Sequence, residues 1–326
     1  MSLMIKSLFA KSSKTLKKYG KTGGWLDIHE SYFGLDRKLP YLVIYGKKDG
    51  PNLVITSTIH GDELNGIGQI HHIYNAIDPE NFSGRLVMLP VANIPAFQIQ
   101  SRYLPDRRDL NRLFPGDTHG SEGRRLANII WNTSIKEADA GIDLHSASYN
   151  RWNFPHIRGN MRLERVRYLA KTFQAPFVMH SQGVTGSLRR EATKRNIPFI
   201  LFEAGQIDRL ETRALEPGIA GIWNILYTLN MVNEVPQNLK KKKSTLQYYK
   251  YSTWVRASCG GLFSASVKPG DLVKKGDILG QIYSLLGELK AEIKAEIKGR
   301  VLGFNLHPQV MPGRALFHIC YEKHPL

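Results

Sequence analysis

Histidines and acids that fall where strands give way to helices or loops are the residues through which this chain could do chemistry. His60 and Glu63 lie three apart in Thr58-Ile59-His60-Gly61-Asp62-Glu63. An apolar run at 52–56 precedes them, and Ile67, Ile70, Tyr74 and Ile77 follow on one helical face. A turn at that junction lets an imidazole and a carboxylate converge on one point. His145 closes the run 140–145, Ala-Gly-Ile-Asp-Leu-His, and Glu203 follows Pro-Phe-Ile-Leu-Phe at 198–202. Two imidazoles and one carboxylate, with a fourth position left for water, form a catalytic zinc arrangement. Zinc lowers the pKa of water to about 7 and polarises a carbonyl oxygen. Glu203 is placed to accept a proton and pass it to a leaving amine. Taken singly, each of these residues is more often a hydrogen-bonded structural group. Their conjunction at three strand ends carries the reading.

Asp143, two residues before His145 on the same strand face, is either an acid that orients the imidazole or a strand-end acceptor. His71 and His72 fall one to two turns beyond Glu63 and are expected on the helix surface or in helix packing. His119, His156 and His180 have no partner spacing. The stretch 101–116 adds a logic of substrate binding. Arg112 with Asn111 can grip a carboxylate through a guanidinium fork and an amide donor. Arg102 can stabilise a carbonyl oxygen that gains negative charge. Arg107 and Arg108 read as solvated.

Positioning these residues requires strands that alternate with helices. Strands are expected at 41–45, 52–56, 85–91, 140–145, 177–180 and 198–202, and helices after Glu63, after Ser121, over 161–173 and over 217–232. A turn is expected at 47–51, and the first helix should close at Asp78-Pro79. Residues 92–117 read as a long functional loop. The alternation implies an α/β domain with a largely parallel central sheet, in which ligands bind beyond the carboxyl ends of the strands. Composition shifts at the polar connector that holds Lys240, Lys241, Lys242 and Lys243. We therefore expect a hydrolase domain over 1–238, a linker over 239–248, and a β-rich domain over 249–326 rich in Gly-Asp turns. The segment 292–298 reads as a strand, although its Ile-x-x-x-Ile spacing would also suit a helix.

The 326 residues can bury one large core and a small one. No apolar run approaches the roughly 20 residues that span a bilayer, so a soluble protein without membrane partners is expected. Lys6, Lys11, Lys14, Lys17 and Lys18 lack the apolar core of a secretory signal, and Cys259 and Cys320 fit a reducing compartment, which points to the cytoplasm. Forty-five Lys and Arg against 28 Asp and Glu give a net charge of +17. That field suits a small anionic substrate, whereas the scattered charge and absence of a reader motif argue against nucleic acid.

With those residues assembled, the chain resembles the succinylglutamate desuccinylase/aspartoacylase family, within the wider zinc-carboxypeptidase-like fold. The resemblance rests on His60-Gly61-Asp62-Glu63, Asp109-Leu110-Asn111-Arg112-Leu113-Phe114-Pro115-Gly116, Asp143-Leu144-His145 and Phe202-Glu203-Ala204-Gly205. It implies a three-layer domain around a mixed, largely parallel sheet, and one zinc ion held by His60, Glu63 and His145. It also implies Glu203 as general base and acid, Asn111 and Arg112 on the substrate α-carboxylate, and Arg102 near the carbonyl. Arg189 and Arg190 are the candidates for an arginine that binds a second carboxylate. The tail is similar to barrel-sandwich carrier domains; a carrier would need a lysine at a hairpin tip, where Lys290 is roughly placed. A lid or a surface for homo-oligomers is the other role. The expected activity is removal of an acyl group from an N-acyl amino acid by zinc-activated water. The rivals are a zinc carboxypeptidase acting on small peptides and a non-catalytic ligand-binding or carrier protein.

Overall fold

A computed structural model describes residues 7–9, 19–30, 36–239 and 247–326. The chain enters a sheet through β1 (Gly20–Glu30), β2 (Asp36–Tyr45) and β3 (Lys48–Ser57), then passes through α1 (Asn65–Ala76) to β4 (Ser83–Leu89). After α2 (Ile94–Gln98) and α3 (Glu122–Ile130), which ends in a π turn (Trp131–Ile135), come β5 (Ala140–His145) and β6 (Arg151–Gly159). Next are α4 (Glu164–Phe173), β7 (Phe177–His180), α5 (Leu188–Lys194), β8 (Phe199–Gly205) and α6 (Thr212–Thr228). The C-terminal segment is all strand: β9 (Gln247–Arg256), β10 (Gly261–Ala265), β11 (Leu272–Val273), β12 (Ile278–Tyr283), β13 (Leu289–Lys294), β14 (Gly299–Asn305), β15 (Gln309–Val310) and β16 (Ala315–Pro325).

One 12-stranded sheet runs in the order β1-β2-β4-β3-β5-β8-β6-β7-β9-β16-β14-β11. Its centre is mixed. β4, β3, β5 and β8 are parallel neighbours, whereas β6 runs antiparallel to β8. Alternating side chains divide each strand between two helical layers. Leu53, Ile55, Ile142, Leu144, Ile200 and Phe202 pack with α1, α4 and α6. Val54, Val87 and Phe199 pack on the other face with Leu126 and Ile130 of α3 and Leu188 and Ala192 of α5. Phe199 also closes over Gly141, where an added Cβ would lie 2.0 Å from its ring. By the same alternation, Thr56, Asp143, His145 and Glu203 belong to the face of Val54 and Phe199, under α3 and α5.

The expected helices and strands lie near their observed places, with differences that have physical causes. The reversal after β2 is made at Gly46 and Lys47, and β3 already begins at Lys48, so residues 48–51 are strand rather than turn. Pro51 sits in a register irregularity between Lys48 and Asn52, where the ladder does not need its missing N–H. α6 starts five residues before Pro217; burial of Ala214, Ile219, Ile222, Trp223 and Leu226 outweighs the one bond a proline forfeits. The 92–117 loop is partly ordered by α2, capped where Asn93 Oδ1 accepts from Ala96 N at 3.2 Å, and by a short turn at Leu110–Arg112. β6 is a strand that the sequence reading lacked altogether. Its Pro155 falls in the register break between Asn153 and His156, so the residue that looked like a strand breaker occupies a bulge.

The C-terminal strands divide between two sheets. β9, β16, β14 and β11 extend the large sheet, and β14 also pairs with β6. β10, β12, β13 and β15 form a second, four-stranded sheet. A small core of Val255, Phe263, Leu279, Ile282, Ile293, Leu316 and Phe317 lies between them. Residues 292–294 are strand, and the tip of the β12–β13 hairpin is Leu285-Leu286-Gly287. Lys290 lies past that tip, inside β13, and donates to Gly260 O at 2.7 Å. Lys240 to Lys243 and the first basic residues, Lys6 to Lys18, lie outside the described residues. No helix among the described residues is long and apolar enough to cross a membrane.

Candidate metal centre and active site

β3 delivers His60 and Glu63 through a tight turn that begins at Thr58, whose φ of 54° lies in the left-handed region. The turn is fastened by Thr58 Oγ1 donating to Glu63 O at 3.1 Å and by Asn93 N donating to Thr58 O at 3.1 Å. Gly61 has no room for a side chain, since an added Cβ would lie 2.1 Å from the Ala96 carbonyl carbon. β5 delivers His145 beside them. Glu63 then bridges the two imidazoles, with Oε1 2.6 Å from His60 Nδ1 and Oε2 2.8 Å from His145 Nδ1. Ligand atoms of His60, Glu63 and His145 all lie within 4.8 Å of one another, and all three residues are buried.

Both rings present Nδ1 to the shared point and Nε2 to an aspartate. His145 Nε2 lies 2.8 Å from Asp143 Oδ2, and Asp143 Oδ1 accepts from Thr56 Oγ1 at 2.7 Å. His60 Nε2 lies 3.3 Å from Asp109 Oδ1, but it is buried and lacks an aligned hydrogen bond. Carboxylates behind imidazoles fix ring orientation and raise donor strength at metal sites. The N and O donors, their spacing and these supports fit a zinc ion. Burial would drive charge out of all three residues, yet the facing charges outweigh it. The charge of His60, then that of His145, holds Glu63 well below the usual carboxylate range, and Asp143, then Glu63, holds His145 well above the usual imidazole range. Asp62 lies between the two ligands in sequence but outside the cluster, and burial pushes its carboxyl up to about 6.

Glu203 is the parallel-strand neighbour of His145 and the antiparallel neighbour of His156. Its Oε1 accepts from Asn153 Nδ2 at 2.6 Å, and its Oε2 lies 3.0 Å from Arg158 Nε. Burial alone would raise its pKa, but Arg158 and then His156 outweigh that, so the carboxyl is held below its ordinary value. His156 is fully buried; Arg158 Nε donates to its Nε2 at 3.0 Å, and burial pushes its pKa down to about 4. Asn153, His156 and Arg158 all come from β6 and were missed with it. The alternation Asn153-Phe154 and His156-Ile157-Arg158 was the available signal.

A cavity of about 620 Å³ opens on this cluster and is lined by His60, Glu63, Arg102, Asn111, Arg112, His145, Arg189 and Glu203 among others. Thus His60, Glu63, His145, Glu203, Arg102, Asn111, Arg112 and Arg189 line one space, whereas Asp143, behind His145, and Arg190 do not. Arg102 Nη1 lies 3.2 Å from both Glu63 Oε1 and His60 Nδ1, and its Nη2 donates to Asp109 Oδ2 at 3.2 Å. Asn111 Oδ1 accepts from Leu188 N at 2.9 Å, which leaves the amide nitrogen as the group able to donate into the cavity. Arg112 is half-exposed, with Nη1 donating to Asn111 O at 2.6 Å. Arg189 is buried and donates from Nη1 to Ser181 O at 2.5 Å; burial, then Arg158, lowers its pKa to about 10. Arg190 donates to Gly183 O instead. His71, His72 and His119 are exposed, and His180 accepts from Met161 N. Cys259 and Cys320 are free thiols.

This arrangement has counterparts among known proteins. A curated N-alpha-acetyl-L-2,4-diaminobutyric acid deacetylase from Halomonas elongata is 26% identical over 253 residues, covering 75% of this chain and 74% of that protein. A solved succinylglutamate desuccinylase/aspartoacylase from Rhodobacter sphaeroides is similar at 25% identity and a TM-score of 0.82, with 93% of this chain and 95% of that one covered. The ectoine utilization protein EutE (DoeB) from Ruegeria pomeroyi has a TM-score of 0.83 at 23% identity, over 95% and 98% of the two chains, and shares the fold. The sequence pattern of the succinylglutamate desuccinylase/aspartoacylase catalytic domain matches residues 49–229, the span from β3 to the end of α6 that builds the cluster and its cavity. The chain therefore belongs to the succinylglutamate desuccinylase/aspartoacylase family.

Proposed function

We propose that this protein is a zinc-dependent amidohydrolase that removes an acyl group from a small N-acyl amino acid with a free carboxylate. The reading rests above all on one observation: His60, Glu63 and His145 converge within 4.8 Å, and Glu203 lies on the strand position beside His145. Zinc bound to the cluster would supply Lewis acidity, activating water and polarising the scissile carbonyl.

The chain's own residues account for the remaining requirements. Asn111 Nδ2 and the Arg112 guanidinium offer donors to the substrate carboxylate, which fixes the amide in the cavity. Arg102 donates to the carbonyl oxygen as it gains negative charge. Glu203, held ionised by Arg158, takes a proton from the attacking water and returns it to the amide nitrogen. A C–O bond forms, the C–N bond breaks, and a carboxylate and a free amino acid leave. Arg158 and Asn153 keep Glu203 aimed through both transfers. The deacetylase relative supports an acyl group on nitrogen as the target. The two-faced helical packing around a mixed sheet also supports the finer, zinc-carboxypeptidase-like description of the fold.

The decisive experiment measures amine release by the full-length, zinc-loaded protein from N-acetyl and N-succinyl amino acids and from blocked dipeptides. Release from the N-acyl amino acids alone is expected. Release from dipeptides alone would replace this reading with a carboxypeptidase, and no release together with no stoichiometric metal would remove catalysis from it.

A further inference from the structure

Four strands end the two sheets: β1 and β11 the large one, β13 and β15 the small one. An edge strand presents unpaired N–H and C=O groups, and proteins blunt such edges with shortness, bulges and charge. β11 and β15 are two residues long. β13 skips Lys290 in its register with β12 and carries Glu292 and Lys294. β1 has none of these defences where it matters. It is 11 residues long, and Gly20 to Asp27 run in unbroken register with β2; the shift comes only between Asp27 and His29. Among the described residues, β2 is its one strand neighbour.

Its two faces differ. Leu26 and Ile28 turn toward the core shared with α3, so Lys21, Gly23, Trp25 and Asp27 stand on the other face. Trp25 is 63% exposed there, although a tryptophan ring gains more from burial than most side chains. Asp27 is also exposed, with one long ion pair to Lys38 at 3.6 Å. Lys21 Nζ donates to Asn75 O at 3.1 Å, which leaves two of its three N–H bonds to give elsewhere.

The order of these residues is complementary to itself. When Gly24 is set opposite Gly24 of a second, antiparallel copy, Lys21 of each chain faces Asp27 of the other, and Gly23 faces Trp25. Opposite charges directly across an antiparallel pair stabilise it, and an aromatic ring across from a glycine covers the bare backbone. A slip of two residues loses both matches, because Lys21 would then meet Trp25 or His29. A slip of one would set the two faces on opposite sides.

We propose that β1 is an interface for a second copy of this chain, paired antiparallel about Gly24 so that the large sheet runs on from one subunit into the other. The contact is isologous: a two-fold axis through Gly24 uses the same strand twice and closes on itself, so it ends at a dimer. No cavity-lining residue comes from β1 or β2, so both active-site cavities stay open in that dimer.

Sedimentation equilibrium of the full-length protein should give twice the chain mass of 36.9 kDa. Lys21→Asp sets aspartate against aspartate across the axis, and Asp27→Lys sets lysine against lysine. Each should therefore raise the dimer Kd by about tenfold or more. An equimolar mixture of these two variants restores both opposite-charge pairs and should dimerise about as tightly as the wild type. The mixture shows that both variants are folded, because a misfolded chain would not be rescued by its partner. Trp25→Lys, at an exposed position, should also weaken the dimer.

Cross-linking reads the register. In a Cys259→Ser background, which leaves only the buried Cys320, Lys21→Cys mixed with Asp27→Cys should form an intermolecular disulfide on mild oxidation. Residues opposite each other lie about 4.5–5.5 Å apart at Cα, within disulfide reach. Either cysteine variant alone should form none. A wild type that stays monomeric up to about 100 µM, well above the Kd of a specific dimer, overturns the proposal and leaves the edge to a strand of another protein. A dimer unaffected by the three β1 variants overturns it in favour of another surface, such as the C-terminal segment. Disulfides that form equally in the single variants overturn the register about Gly24.

Discussion

His145 and Glu203 are nearest neighbours across the parallel β5–β8 pair, so the proposed metal ligand and the proposed proton carrier are set side by side by backbone register alone. A carboxylate fixed in this way loses little if its charge is removed, because Asn153 still bonds to it. Glu203→Gln is expected to lower kcat by about 10² to 10⁴-fold, the usual weight of a general acid–base group. Metal content, measured on the same preparation, should match the wild type. Loss of the metal in this variant would make Glu203 a ligand rather than a proton carrier.

Asp143 reaches His145 with one oxygen and Thr56 with the other. Removing it frees the imidazole to rotate and weakens it as a donor. Asp143→Ala should therefore bind zinc about 10 to 100-fold more weakly. Competition against a chelator of known affinity checks this; an unchanged affinity would make Asp143 a purely structural acceptor.

Arg112→Met should raise KM for N-acyl amino acids by about 10 to 100-fold, the loss expected for a charge-assisted hydrogen bond. Amides of the same substrates, which lack the free carboxylate, should show no such change. Steady-state kinetics on each acid and its amide would expose an error, since an equal loss on both means that Arg112 does not hold the carboxylate.

His156 titrates near 4 because burial penalises its charged form, against 6.5 for the ordinary group. The unfolded chain then binds the extra proton between those values. The group's contribution to stability is complete above about 6.5 and is lost as pH falls toward 4, on the order of 3 kcal/mol in all. His60 and His145, raised instead of lowered, act in the opposite sense, so the comparison must be between wild type and His156→Gln in identical buffers. The difference between their urea midpoints should change between pH 6.5 and 4. A constant difference across that range would mean that His156 is charged in the fold.

Gly61→Ala tests the turn that carries both His60 and Glu63. The new methyl would meet the backbone of Ala96 and Phe97 at 2.1–2.4 Å, and backbone cannot yield as a side-chain end can. A loss of about 1–3 kcal/mol is expected, with weaker metal binding. Thermal unfolding and zinc titration together would show whether the strain reaches the ligands; unchanged values in both would mean that α2 is free to move away.

Much of this site was legible in the sequence because its chemistry sits at strand ends, where apolar runs stop at a polar residue. His60, His145 and Glu203 were marked in that way, and Asn111 and Arg112 by their types within a polar loop. β6 was not legible, because Pro155 and the mixed polarity of Asn153, His156 and Arg158 mimic a loop. Those residues are polar for a reason that appears only in three dimensions: they face Glu203 instead of solvent. The extension of the large sheet by β9, β14 and β16 was hidden likewise, since pairing of β7 with β9 across 70 residues and of β6 with β14 across 150 leaves no local pattern.

The ladder between β6 and β14 also bears on how new specificities could be built from this scaffold. Replacing the C-terminal segment as a cassette would leave Arg151, Trp152 and Asn153 facing a foreign edge, and the proton carrier depends on one of those three. The exchangeable unit is the C-terminal segment together with β6. Homologous recombination that respects this seam would retune the wall of the cavity, whereas a cut at the polar connector would damage the catalytic floor as well.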